Sequence, residues 1–370
     1  KANTYLFRTV WIVMIVFASI LFTKYILVGV NDMLAINREQ STVTIEIPAN
    51  PNVMTVARVL SDSHVIKNES FFRLYSFLTR SNKKFTQGKF EIETNMDYEA
   101  IINYIQSQTN RVDVINITFP EGLDVKRYAN LLESNGVCKS SEFLEACNSN
   151  DFDDNYSFIK EISNTDQRYY KLEGYLFPDT YKFYQGEDPK YTIKRFLNNY
   201  ESKIIDKKKV EGYDHKVSIA DQAKESGMSM EDLLILASVI QAEAADEEDM
   251  YKVSSVLHNR LKTIDNDGVN KYLEAGLNKL SCDSTVWYPY KSKDEIPSNV
   301  KDTFKSKYNT YEIIGLPPGP ICNPGLTAID AALHPANTDY YYFCHSSSKD
   351  SYYASTISEH NINLVKAGLK

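Results

Sequence analysis

Ser229-Met230-Glu231-Asp232-Leu233-Leu234-Ile235-Leu236-Ala237-Ser238-Val239-Ile240-Gln241-Ala242-Glu243 is the stretch on which the fold turns. Ser229 with Asp232 three positions later is a capping-box pattern, which marks the start of a helix. Leu233, Leu234, Ile235, Leu236, Val239 and Ile240 make that helix apolar nearly all round, so it belongs in a core. Leu236, Ile240 and Glu243 stand at i, i+4 and i+7, so Glu243 continues an apolar stripe. Burial disfavours the anion of such a carboxyl and raises its pKa. An acid still protonated near neutral pH can protonate a leaving oxygen. A second reading ends the helix at the surface, with Glu243 beside Asp246, Glu247 and Glu248; periodicity alone does not separate the two.

Downstream, a second helix is expected over about Glu247–Leu261, with Met250, Val253, Val256 and Leu257 inward. Residues Gly315–Gly325 hold prolines 317, 318, 320 and 324 among three glycines, a stiff loop that bends at glycine. Tyr340–Cys344 reads as a final strand and Ser358–Leu369 as a last helix.

Upstream, a repeat emerges. Ile47-Pro48 is followed by Val53, Ala57, Leu60, Val65 and Phe71; Phe119-Pro120 is followed at the same offsets by Val125, Ala129, Leu132, Val137 and Phe143. Each copy reads as a strand (Thr44–Ile47, Asn116–Phe119), a proline turn, a helix and a second helix ending near Leu78 or Cys147. Between the copies, Gly88–Ile92 reads as a strand and Tyr98–Gln106 as a helix. Such modules bind glycans or act as spacers, and the pattern favours the spacer.

The first thirty residues differ from the rest. Val10–Val30 is apolar except near Lys24, and as a helix it is about 31 Å long, enough to cross a bilayer. Lys24 lies where its ammonium can snorkel to the interface. Lys1 and Arg8 precede the run without an acid, which predicts a cytoplasmic N-terminus and an exported body. A cleaved signal peptide is the competing reading; the run is long for one, and no small-x-small site follows promptly. Asn31–Thr42 reads as a polar linker.

Hydrophobic residues at 43% and charged ones at 24% fit a globular body. The net charge of −8 and the lack of a basic stripe argue against nucleic acid as a partner. Five cysteines at irregular spacing form neither a disulfide framework nor a zinc motif. Asp179 and Asp283 are available second carboxylates, and each also suits a backbone cap. Tyr175, Phe177 and Tyr181 cluster, as do Tyr308 and Tyr311; aromatic faces stack on sugars, although core packing is their commoner fate.

Six blocks carry a resemblance. They are Glu173-Gly174-Tyr175-Leu176-Phe177-Pro178-Asp179-Thr180-Tyr181, Leu236–Ala244, Val256-Leu257-His258-Asn259-Arg260-Leu261, Leu280-Ser281-Cys282-Asp283-Ser284-Thr285-Val286, Tyr308-Asn309-Thr310-Tyr311 and Gly315–Gly325. In this order they resemble the YceG-like family of membrane-anchored endolytic murein transglycosylases. A weaker likeness reaches back to residue 43, where the family carries a LysM-like module. The family's catalytic glutamate is the second acid of a Glu-x-Glu block; here the block reads Gln241-Ala242-Glu243, which keeps that acid and puts any role for the first in doubt. Ser284 stands where the family usually has proline.

The resemblance implies an α+β fold. Its parts are a cytoplasmic stub (1–9), a transmembrane helix (10–30), a linker (31–42), a LysM-like module (43–112), a second strand–helix unit (113–165) and a catalytic domain (166–370). It implies non-hydrolytic cleavage of the MurNAc-β-1,4-GlcNAc bond to 1,6-anhydro ends, terminating strand elongation, with Glu243 as acid and then base. Motif membership makes Tyr175, Phe177, Asp179, Asn259, Asp283, Thr285, Tyr308, Asn309, Tyr311 and Asn323 candidates for binding substrate. No metal or organic cofactor is implied. The expected partners are peptidoglycan strands, the cell membrane, and penicillin-binding and other cell-wall synthesis proteins. Two rival expectations are a silent glycan-binding scaffold and a muramidase using Glu243 with Asp283.

Overall fold

The computed structural model describes residues 2–81, 85–262 and 279–370; Lys1, counted in the charge argument above, lies outside them. The chain divides into two compact units. The first runs to Ile115 and includes Lys182–Gly186; the second comprises Asn116–Tyr181 and Glu187–Lys370.

The first unit opens with α1 (Ala2–Met33), of which Tyr5–Met33 is long and apolar enough to cross a membrane. Its apolar side chains from Tyr5 to Phe22 are largely exposed, and one side of its last turns is covered: Ile26, Val30 and Met33 pack on the module that follows. That module is β1 (Thr42–Ile47), α2 (Val53–Asp62), α3 (Glu69–Leu78), β2 (Gly88–Glu93) and α4 (Tyr98–Gln106). β1 and β2 pair antiparallel, Thr42 opposite Glu93 and Ile47 opposite Gly88. Alternation sends Ile45, Ile47, Phe90 and Ile92 to one face, where Val56, Leu60, Phe72 and Ile101 cover them. The segment expected to be a linker is tied down at Arg38, whose guanidinium donates to Asp32 (2.7 Å) and to the Val65 carbonyl (2.5 Å). Further along, the Thr94 hydroxyl donates to the Glu39 carbonyl and the Thr94 N–H to the Ser41 carbonyl.

The repeat is visible in the elements. After β3 (Val114–Thr118) come α5 (Val125–Ser134), α6 (Ser140–Cys147), a short α7 (Ser157–Lys160), β4 (Thr180–Tyr184), which pairs with β3, and α8 (Pro189–Tyr200). Each copy's first long helix is capped in the same way, Asn52 accepting from the Thr55 N–H and Asp124 from the Arg127 N–H. The division between units falls within both β3 and β4.

The second unit continues with β5 (Lys208–Lys209), β6 (Lys216–Val217), α9 (Ile219–Glu225), α10 (Met230–Glu243), α11 (Glu247–Leu261), α12 (Leu326–Leu333), the antiparallel hairpin β7 (Tyr342–His345) with β8 (Ser351–Ala354), and α13 (Ile357–Lys366). α10 is the core helix, with Leu233 through Ile240 all buried, and it packs on α11, α12 and the turn Asp283–Thr285. Ser229 caps it by accepting the Asp232 N–H at 3.0 Å. The reciprocal half of the box differs, because the Asp232 carboxylate accepts a hydrogen bond from the Ser229 hydroxyl instead. All five cysteines are free thiols.

Candidate active site

α10 ends at Glu243 because Ala244 turns extended (ψ 144°) and Asp246 then caps α11. The carboxyl of Glu243 thus sits at the negative end of a buried helix, a position that disfavours an anion. It lines a groove of about 680 Å³ together with Arg260, Asp283, Tyr311, Tyr342 and His345, and α13 contributes Ile357, His360 and Leu364. Burial pushes the Glu243 carboxyl above its usual range and the Asp283 charge adds to this. The Ser284 N–H, which donates to Oε1 at 2.9 Å, and His345 oppose it without reversing it. Of the two readings left by periodicity, the structure therefore favours the one with a partly buried, acid-leaning carboxyl facing a cleft.

His345, which lines the groove, is held by Asp249. Asp249 accepts from the Ala245 N–H (2.9 Å), from the Tyr353 hydroxyl and, on Oδ2, from His345 Nε2 (2.7 Å). Burial works against that carboxylate, but the hydrogen bonds from His345, Ser351 and Tyr353 prevail and hold its pKa well below the usual range. In return, the hydrogen bond to Asp249 raises the pKa of His345. One carboxylate so links the residue two beyond Glu243 to the β7–β8 hairpin. Gln241 also works structurally: its Oε1 accepts the Gly325 N–H at 3.0 Å, tying the end of α10 to the start of α12.

The sequence candidates separate into two sets. Glu243, Asp283 and Tyr311 come together in the groove, where the Tyr311 hydroxyl donates to Asp283 at 2.7 Å. Asn309 supports them, its Oδ1 accepting the Tyr311 N–H. The others do not line that groove. Tyr175 and Phe177 are buried, Tyr175 against Phe158 and Tyr200. Tyr308 is fully buried beside Tyr169 and Tyr288. Thr285 bonds the Cys282 carbonyl and Thr310. Asn323 accepts the N–H groups of Gly174 and Leu176 at 3.0 Å each. Asn259 donates to the carbonyls of Thr338 and Tyr340. Asp179 is exposed and accepts from the Thr180 N–H (2.7 Å) and Asn199 (3.0 Å). Gly174, in the same block, has φ +88°, and a Cβ there would stand 2.5 Å from the Pro320 ring, so the block needs glycine for fit.

Most other groove residues escaped the sequence reading, Arg260 and His345 among them. Arg260 neighbours Asn259 in a quoted block but faces another way round the helix, donating to the carbonyls of Tyr341 (2.8 Å) and Leu280. His345 lies one residue past the strand read as Tyr340–Cys344.

A family model, the YceG-like family, matches residues 45–366. The chain belongs to the YceG-like family. It is 30% identical over 335 residues to a Bacillus subtilis (strain 168) protein named endolytic murein transglycosylase, covering 87% of this chain and 84% of that one. A Streptococcus pneumoniae protein (serotype 2, strain D39) of the same name is 23% identical over 343 residues, which are 88% of this chain and 58% of that longer protein. The solved structure of a yceG-like protein from Listeria monocytogenes matches at TM-score 0.54 and 26% identity, over 88% of this chain and all of that one. Both the mixed α+β architecture and the family expected from the six blocks are thereby met.

Proposed function

We propose that this YceG-like chain is an endolytic peptidoglycan transglycosylase with Glu243 as its one acid/base. The observation that carries this is a carboxyl at a helix end whose pKa burial raises and which lines a groove of about 680 Å³. Protonated Glu243 gives its proton to the glycosidic oxygen as the bond from C1 of MurNAc breaks and GlcNAc leaves. The carboxylate then takes the proton of the MurNAc C6 hydroxyl while that oxygen bonds to C1, closing the 1,6-anhydro ring and restoring the acid. The attacking hydroxyl belongs to the reacting sugar, so the second step is intramolecular. Asp283, Tyr311 and Arg260 are proposed to bind the strand around it.

α1 is proposed as a single-pass anchor with its N-terminus cytoplasmic and the body outside, where peptidoglycan lies. The strand–helix–helix–strand order of the first module supports its reading as LysM-like, a spacer or glycan binder above the membrane. Ending nascent strands and acting beside penicillin-binding proteins belong to the same proposal.

Asp283 in the same groove favours one rival, a two-carboxylate muramidase. The experiment is digestion of purified peptidoglycan by wild type and by Glu243→Gln, with mass spectrometry of the fragments. Wild type should yield anhydro ends, one water lighter than reducing ends, and Glu243→Gln none. Reducing ends as the initial product would support the muramidase.

A further inference from the structure

α3 carries three large apolar side chains in the open: Leu74, Phe77 and Leu78 are 41%, 67% and 70% exposed. Its inward face is supplied by Phe71, Phe72 and Ser76. A lone exposed leucine needs no explanation, but three such residues on one side of one helix form a patch.

Contacts on α1 say which way this patch looks. Asp32, buried in the last turn of α1, accepts the N–H groups of Lys67 (2.9 Å) and Asn68 (2.8 Å), which lead into α3. One turn further, the Phe71 ring meets Tyr25 edge-on, centroids 5.8 Å apart. It also covers Gly29, where any Cβ would run into it. As α3 advances from 68 to 71, its contacts on α1 retreat from 32 to 29 and 25. α3 therefore runs back along α1 toward the exposed apolar stretch that includes Leu21 and Phe22. Leu74 and Leu78 lie three and seven residues beyond Phe71, on the same side, with Phe77 next to them.

We propose that α3 lies in the membrane–water interface beside α1, with Leu74, Phe77 and Leu78 touching lipid acyl chains; this rests on the reading of α1 as a membrane anchor. A helix with such a face settles roughly 5–10 Å into the headgroup–acyl boundary. Arg73 and Arg80 border it, and their long stems let the guanidinium groups reach phosphates. Two helices, not one, then hold the first unit at the bilayer and fix its angle to the membrane.

The test uses the full-length protein in phosphatidylglycerol–phosphatidylethanolamine vesicles, with and without bromine on the acyl chains, read by tryptophan fluorescence. In a Trp11→Phe/Trp287→Phe background, Phe77→Trp should lose roughly half of its emission to the brominated lipid. Leu78→Trp should respond alike and serves if the first variant fails to fold. Glu91→Trp, on the outward face of β2, should be unaffected. Native Trp11, read in Trp287→Phe protein, reports on α1 itself. Quenching of Trp11 without quenching in either α3 variant would overturn this proposal alone. No quenching of Trp11 would overturn the anchor reading and this proposal with it.

Discussion

Glu243 must carry its proton to act, so the direction of its pKa shift becomes a direction in pH. With the pKa raised by burial, activity should hold through mildly acidic pH and fall as pH rises through the raised value. A pH–rate profile of strand cleavage checks this; a plateau extending to alkaline pH would contradict it. Glu243→Gln keeps the Ser284 contact but not the proton, and should lower the rate by about 10²–10⁴-fold or more with folding intact. Glu173 gives a separate test. Burial, with Asp124 nearby, pushes it up to about 8, against the N–H of Val125 and the Tyr288 hydroxyl. A carboxyl raised in the folded state stabilises fully below its unfolded pKa, and that stability is lost as pH rises through about 8. Glu173→Gln can keep the contacts, its oxygen accepting from Val125 and its amide donating to Tyr288. Its melting temperature should therefore vary less between pH 5 and 8 than that of wild type. Glu243 was legible as the end of an apolar stripe, but a buried end and a surface end fit that stripe equally, and only the fold around it separates them. Tyr308, Thr285 and Asn323 were legible as motif members but not as buried residues, because motif membership does not say which way a side chain points.

At the scale of elements, the joint between α10, α11 and the β7–β8 hairpin rests on Asp249. Removing one partner of a buried ion pair strands the other, so Asp249→Ala should cost about 3–5 kcal/mol, seen as a lower denaturation midpoint. The pair also has a pH window. The contribution of Asp249 is lost as pH falls through its depressed pKa, and that of His345 as pH rises above 6.5 through its raised one. Asp249→Asn should flatten stability across the upper limit. Strong periodicity made α10 and α11 readable to within a residue or two of their ends. β8 was not readable: Ser351–Ala354 is four residues long, too short for alternation to show. α12 follows the proline-rich loop as Leu326–Leu333, a run whose length suits either a strand or a helix.

At the scale of the molecule, the sequence disclosed the apolar helix as one long apolar run and the repeat by its fixed spacing, while the division within β3 and β4 depends on which strands pair across a separation of 62 residues, as between Thr118 and Thr180. The anchor reading predicts that protease added to spheroplasts degrades residues 43–370 and spares the first few; a protected body would reverse the topology. The central claim concerns where the new sugar end gets its oxygen. If Glu243 serves an internal hydroxyl, solvent contributes no atom to the product. Digestion of peptidoglycan by the full-length enzyme in oxygen-18 water, with mass spectrometry of the new muramoyl ends, measures this directly. The account predicts unlabelled 1,6-anhydro ends; reducing ends carrying oxygen-18 from the bond-breaking step, as the main initial product, would contradict it.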